Sequence, residues 1–249
     1  MFGSWNARDP SSLLFVGGVR GGVRGGCGPV AMVWPCPLSV EAYAAADRDV
    51  DVPRLGCPRC RAPMCFWSGY RRWVRQAGRC WRIFVPRVRC RRCLTSHALL
   101  PSFLFTGRLD VVDGIGQMIE AVASRVVGVR PAAALVGVPH TTAREWQRRF
   151  TGRAAELAVA FAALCAELGG PVLRPMTNAA AGAVRAIGAA FTAACEFPGW
   201  ASLSRWRFAS VVSGGRLLAA NTISPYLVVG KRRFLPPIAR RDIGGEHGP

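Results

Sequence analysis

Hydrophobic and polar positions change their rhythm several times along the chain. Residues 1–31 follow neither a helical nor a strand period and repeat glycine around Val19-Arg20-Gly21-Gly22-Val23-Arg24-Gly25-Gly26, which predicts irregular chain. Two readings stand for this piece: an upstream stretch read through from an early start codon, with a different texture beginning at Met32, or a flexible Arg/Gly tail for nucleic acid. From 54 to 101 the apolar runs are short, as at 81–85, and suit strands more than helices. At Leu109 the period turns helical, with Leu109, Val112, Ile115, Ile119, Val122 and Val126 on one face. A further helix is predicted over 152–168, stopped by Gly169-Gly170-Pro171, and another over 177–197, with Thr177 as its N-cap and Pro198-Gly199 at its end. Residues 202–212 read as a last helix, and the basic stretch after Pro225 as irregular.

Composition adds charge to this outline. The 249 residues are 51% hydrophobic and 19% charged, enough apolar material for a core. Formal net charge is +19, and of the 33 basic residues all but Lys231 are arginine. Such a surface seeks polyanions. GC-rich coding also enriches Ala, Gly, Arg, Val and Pro, so composition alone does not name the partner. Membrane is disfavoured because the long apolar stretches are interrupted, 154–168 by Glu156 and Glu167, and 179–195 by Arg185. The apolar piece at 13–19 has Asp9 ahead of it and Arg20 and Arg24 behind it, which does not fit a secretory leader. A cytoplasmic location is therefore expected. There thiols stay reduced, and the ten cysteines read as metal ligands before disulfides.

Cys57-Pro58-Arg59-Cys60 and Cys90-Arg91-Arg92-Cys93 are two CxxC knuckles with 29 residues between them. A CxxC turn lets two thiolates reach one tetrahedral ion, and two turns at the ends of a hairpin supply the four ligands of a closed structural zinc site. The usual gap is about 15 to 20 residues, so this spacing demands a longer hairpin. Cys65, Cys80 or His97 could replace a ligand, or the two cysteines could serve as small buried apolar groups. Between Val52 and Leu109 stand thirteen arginines and no Asp or Glu. No carboxylate of the segment can neutralise them, so the charge is expected to meet an external polyanion. Aromatics interleave with them: Phe66, Trp67, Tyr70, Trp73, Trp81 and Phe84 among Arg71, Arg72, Arg75, Arg79 and Arg82. They are either the small core a ribbon needs or part of a binding surface. A strand over Arg87-Val88-Arg89-Cys90-Arg91 puts three guanidiniums on one face, opposite Val88 and Cys90, as a strip for phosphates.

Residues 129–148 carry the spacing of a helix-turn-helix: Ala133 where the second helix crosses, Gly137 for a left-handed turn, and Ala132, Val136, Val138, Ala143 and Trp146 at the locking positions. With the second helix over 140–150, Ala143, Trp146 and Phe150 point inward. Thr141, Arg144, Gln147 and Arg148 face outward, and groups of this kind hydrogen-bond base edges and phosphates in the major groove. Arg149 and Arg153 are expected nearer the DNA backbone, and Thr142 either touches DNA or caps the helix.

The order of these pieces resembles the N-terminal region of DDE transposases of bacterial insertion sequences, and more closely an actinobacterial family of unknown function associated with mobile elements. Cys57-Pro58-Arg59-Cys60, Val85-Pro86-Arg87-Val88-Arg89-Cys90-Arg91-Arg92-Cys93, His97-Ala98-Leu99-Leu100-Pro101 and Gly137-Val138-Pro139-His140-Thr141-Thr142-Ala143-Arg144-Glu145-Trp146 carry it, across roughly residues 54 to 153. The resemblance implies binding to double-stranded DNA and an association with transposition, with a homodimer or transposition proteins as partners. Nothing catalytic carries over. A DDE nuclease needs three carboxylates on a sheet to hold two metal ions, and after Phe150 only Glu156, Glu167, Glu196, Asp242 and Glu246 remain. Tyr226 beside Lys231-Arg232-Arg233 is the nearest candidate for a recombinase nucleophile.

The expected architecture is multidomain and mainly α with a small β zinc ribbon. A Gly/Arg-rich extension covers 1–31, a ribbon module 54–101, a helix-turn-helix domain 108–168, and an alanine-rich helical region with a basic irregular tail 171–249. The expected function is non-enzymatic DNA binding, transposon-associated or regulatory. A transposase or recombinase with unrecognised or partner-supplied catalytic residues is the alternative. The expected sites are Cys57, Cys60, Cys90 and Cys93 for structural Zn2+, and Thr141, Arg144, Gln147, Arg148, Arg71, Arg72, Arg87, Arg89 and Arg91 for DNA.

Overall fold

Two long strands, β2 (Met64–Gln76) and β3 (Arg79–Cys90), form the hairpin that the 29-residue gap demands. Ala77 and Gly78 turn it with φ of 48° and 76°. A two-residue turn with both φ positive matches the twist of the strands it joins. This computed structural model describes residues 31–58 and 60–218. The glycine-rich extension, Arg59, Tyr226 and the basic tail, with Asp242 and Glu246, lie outside the described residues.

The sheet continues beyond the hairpin. β4 (Ser96–Pro101) pairs antiparallel with β3, setting Arg87 opposite Ala98, and β1 (Ala31–Trp34) pairs parallel with β4, Ala31 opposite Ala98. The order across the sheet is β1-β4-β3-β2, so β2 is an edge. Helix α1 (Val40–Ala46) starts at Ser39, whose hydroxyl accepts from the Ala42 amide at 3.1 Å. It packs on β3, where the Tyr43 hydroxyl donates to the Phe84 carbonyl at 3.1 Å.

Six more helices follow: α2 (Val112–Ala123), α3 (Val129–Leu135), α4 (His140–Thr151), α5 (Ala154–Glu167), α6 (Ala179–Ala194) and α7 (Arg205–Val212). The α2 stripe buries Val112, Ile115, Met118, Ile119 and Ala123, while Leu109 and Val126 fall outside the helix and are exposed. Asn178, not Thr177, caps α6, its Oδ1 accepting from the Ala180 and Ala181 amides at 3.1 and 3.2 Å. Ser204 caps α7 through the Arg207 amide at 3.1 Å. On α2, Gly116 makes room for α7: a side-chain carbon there would sit 2.2 Å from the Trp206 ring. Trp206 Nε1 donates to Glu120 Oε1 at 2.7 Å, and Arg207 reaches Asp113 at 3.2 Å and the Leu38 carbonyl at 3.0 Å. These bonds tie α7, α2 and the loop before α1 together.

The expectation of a mainly α, multidomain chain with a small separate ribbon is thereby corrected. The described residues form a mixed four-stranded sheet with seven helices, and one buried cluster runs from Met32 through Ile83, Val85 and Ile119 to Leu218. The reason is that β1, only four residues long, and α1 carry no readable period. Their place is decided by pairing with β4 and packing on β3, contacts far away in sequence.

Candidate metal centre and charged surfaces

Each CxxC segment folds into the same small loop. In the first, the Arg61 amide donates to the Cys57 carbonyl at 2.8 Å and the Cys57 amide to the Ala62 carbonyl at 2.9 Å. In the second, Leu94 donates to Cys90 at 3.0 Å and Cys90 to Thr95 at 3.0 Å. The fourth residue past the first cysteine is left-handed in both, Arg61 at φ 61° and Leu94 at φ 59°. That conformation turns the chain so tightly that both thiols of a loop point inward. The Arg92 and Cys93 amides lie 3.4 and 3.5 Å from Cys90 Sγ.

The hairpin base brings the loops face to face. The sulfurs of Cys57, Cys60, Cys90 and Cys93 all lie within 4.8 Å of one another, with Cys57 to Cys93 at 3.5 Å and Cys60 to Cys90 at 3.3 Å. Four thiolates around a tetrahedral ion with bonds of about 2.3 Å stand about 3.8 Å apart, so the set is compatible with a metal site. No other group of three or more His, Cys, Asp or Glu comes together among the described residues. Cys93 is a ready thiolate. Burial pushes its pKa up, but bonds with Thr95 and the neighbouring thiols outweigh this and bring it down to about 6. At Cys60 a bond to the Ala62 backbone lowers the pKa, yet burial and the Cys90 and Cys93 thiols leave it raised. His97 lies beside the set, buried on β4, with Nε2 at 3.8 Å from Cys57 Sγ. Cys65 and Cys80 do not join it: Cys65 meets the Arg89 carbonyl at 3.6 Å and Cys80 is exposed near the hairpin turn.

The arginines divide into two kinds. Some are engaged by the chain itself: Arg71 with Asp47 at 2.7 Å, Arg75 with Asp110 at 2.6 Å, and Arg72 with the Arg108 carbonyl, where burial lowers its pKa. Asp47 and Asp110, from segments flanking the hairpin, thus neutralise Arg71 and Arg75. Arg82, Arg87, Arg89, Arg91 and Arg92 have no carboxylate partner among the described residues. Arg89 instead lies over the Trp67 ring at 4.6 Å and donates to the Leu94 carbonyl at 3.1 Å. The strand alternation holds, with Val88 and Cys90 buried and Arg87 and Arg89 partly exposed, although Arg91 already lies in the turn. Of the aromatics, Phe84 is core and Trp81 half-buried, while Phe66, Trp67, Tyr70 and Trp73 are exposed.

The helix pair follows its sequence pattern closely. Gly137 takes φ 68°, and the Gly137 and Val138 amides close α3 on the Ala134 and Ala133 carbonyls at 3.2 and 3.1 Å. Ala132, Ala133, Ala143, Trp146 and Phe150 are buried, the last edge-on to Trp206 at 6.3 Å. Thr141, Arg144 and Arg148 are exposed and Gln147 half-exposed, its amide donating to the Thr151 hydroxyl at 3.1 Å. Arg148 is held by Glu145 at 2.8 Å, and Arg149 binds the same carboxylate. Arg148 first, then Arg149, keeps Glu145 below the usual carboxylate range. Arg153 is not on this surface: it is largely buried and donates to the Arg216 and Leu217 carbonyls at 2.9 and 3.2 Å. Pro139 precedes α4 without a side-chain cap, so Thr142 does not stand at the capping position.

Hairpin and helix pair touch. A side-chain carbon at Gly137 would lie 3.6 Å from the Gly78 nitrogen, which puts the hairpin turn against the turn between α3 and α4. The thiol cluster sits at the other end of β2 and β3, about 40 Å away for strands of this length.

Residues 57–133 match a family described as Domain of unknown function (DUF6431), a segment running from the first cluster cysteine into α3. No curated protein matches the chain, and no solved structure does. Among the described residues no helix is long and apolar enough to cross a membrane.

Proposed function

We propose that this chain is a cytoplasmic, non-enzymatic protein that binds double-stranded DNA, transposition-associated or regulatory in role, with zinc as the ion of the four-cysteine cluster. The observation that carries the proposal is α4. One side of it is sealed into the core by Ala143, Trp146 and Phe150, and the other presents Thr141, Arg144, Gln147 and Arg148 beyond a left-handed glycine turn. Arg144 has no carboxylate partner among the described residues and is the best placed to take a guanine edge. Gln147 suits adenine once its amide leaves Thr151. Arg87, Arg89 and Arg91 would meet phosphates, which position a protein without reading sequence. Arg71 and Arg72, engaged by Asp47 and the Arg108 carbonyl, serve the fold first.

Zinc suits four thiolates in a closed set, and an ion there would hold the two loops in register. His97 beside Cys57 would act as a supporting neighbour. Partners under this reading are a second copy or other transposition proteins.

Selection of bound fragments from random duplex DNA, using metal-analysed protein, tests the proposal. A shared motif that is lost in Arg144→Ala and Gln147→Ala supports it. Protein without zinc that ignores duplex DNA at physiological salt ends it.

A further inference from the structure

We infer that the turn between β2 and β3 is a second duplex contact, an arm whose Arg79 takes a backbone phosphate next to the bases read by α4; this rests on the α4 reading and extends it. The turn sits where α4 begins. A side-chain carbon on Gly137 would stand 3.6 Å from the Gly78 nitrogen and 3.9 Å from the Ala77 carbonyl carbon, so the two turns are packed backbone to backbone. Further bonds hold the arm there. Two residues before Ala77, the Arg75 amide donates to the Leu109 carbonyl at 2.9 Å, and the Arg75 carbonyl accepts from the Val111 amide at 3.1 Å. The Arg75 guanidinium grips both oxygens of Asp110, at 2.6 and 3.0 Å, and Arg72 donates to the Arg108 carbonyl. Residues 108–111 lead directly into α2, which packs on both α3 and α4. The turn therefore has its place beside α4 before any ligand arrives, and a prepositioned group loses little freedom on binding.

What the arm offers suits an anion. The last rung of the hairpin sets Gln76 opposite Arg79, and every residue from Gln76 to Cys80 is exposed. No Asp or Glu stands between Arg71 and Arg92, and Arg79 is the one cation from Gln76 to Cys80. Its ties within the chain are loose: Glu41 is 4.0 Å away with both side chains 70% exposed, and the Trp81 ring lies 5.1 Å beneath the guanidinium. An exposed pair of this kind opens at little cost. A guanidinium fork matches two phosphate oxygens, and the Gln76 amide opposite it is a further donor. Neither group reads a base from there. The arm fixes position on the duplex while α4 reads sequence.

Hydroxyl-radical footprinting and salt titration on one fixed duplex, with full-length, metal-loaded protein, test this. Wild type is expected to protect the sugars around the selected motif and an adjoining stretch of backbone. Arg79→Ala should erase the adjoining protection, weaken binding about tenfold and lower the salt slope by about one, with the motif unchanged. Arg79→Lys, which keeps the charge, should retain the slope. Arg185→Ala removes an exposed arginine on α6 and should change neither reading. A motif bound without the adjoining protection, or a folded Arg79→Ala protein that protects and titrates like wild type, overturns the inference and leaves the α4 reading standing. A slope that depends on Arg79 but not on Arg185, on a duplex bound without any motif, upholds the arm and removes base reading by α4. No duplex binding at physiological salt ends both.

Discussion

Leu94 and Arg61 hold a left-handed backbone that glycine usually supplies, and each does so because loop closure around a cysteine pair demands it. At Leu94, which is exposed, a β-branched residue should fit worst. Leu94→Val is expected to lose about 1–2 kcal/mol against denaturant, while Leu94→Gly stays near wild type. Gly69 is a different kind of constraint: a side-chain carbon there would fall 2.0 Å from the Phe84 ring that covers it. Gly69→Ala should cost about 1–3 kcal/mol in a denaturant melt, because the ring must leave its seat. Cys36 carries a pH signature. Burial, only partly offset by a bond to Leu38 and the charge of Arg207, pushes its thiol up to about 11. A group with a raised folded pKa contributes stability fully present below its unfolded value, near 9, and lost as pH rises through the folded one. Stability should therefore fall by about 2–3 kcal/mol between those limits, and Cys36→Ala should flatten that part of the profile. The constraints at Gly69 and Cys36 are not legible in sequence, since each depends on what lies opposite the residue in space.

At the scale of elements, α4 was the most legible. Its boundaries, buried side and outward side all follow from a 3.6-residue rhythm that operates inside one helix. Arg144→Ala is expected to cost about 1–3 kcal/mol in duplex affinity and to relax the preference at one base position, read by repeating the fragment selection. The cysteine loops were equally legible, because CxxC spacing is local and the long gap could only be closed by long strands. Cys93→Ser should lower bound metal sharply by metal analysis while the far-ultraviolet helix signal persists, since the helices lie in a core away from the thiols. The hairpin's charge is met in part from within the chain, at Arg71 and Arg75. Thirteen arginines without an acid imply an external partner only if the segment is alone, and Asp47 and Asp110 reach it from either side.

For the whole molecule, one shared core changes what metal removal does. A free-standing ribbon would unfold on chelation. Here Val74, Ile83 and Val85 are buried in the cluster that includes the helices. Hydrogen exchange after chelation should accelerate at the cysteine loops and the Met64 and Cys90 ends of the hairpin, and remain slow around Ile83. The turn of the hairpin rests against Gly137, at the turn between α3 and α4. Duplex affinity should fall steeply with salt, and Arg91→Ala should reduce that slope by about one counterion without altering sequence preference.

What the amino-acid sequence determined by itself is the set of features governed by near neighbours: the two cysteine loops, the long hairpin, the α3 and α4 pair and the breaks between helices. Their signals repeat over a few residues, so no distant contact is needed to read them. Tertiary structure alone decided the sheet order, the parallel seat of β1, the carboxylates that engage the hairpin arginines, and the rings left bare on β2. Those depend on which surfaces remain uncovered after distant segments pack, and a periodicity along the chain carries no record of that.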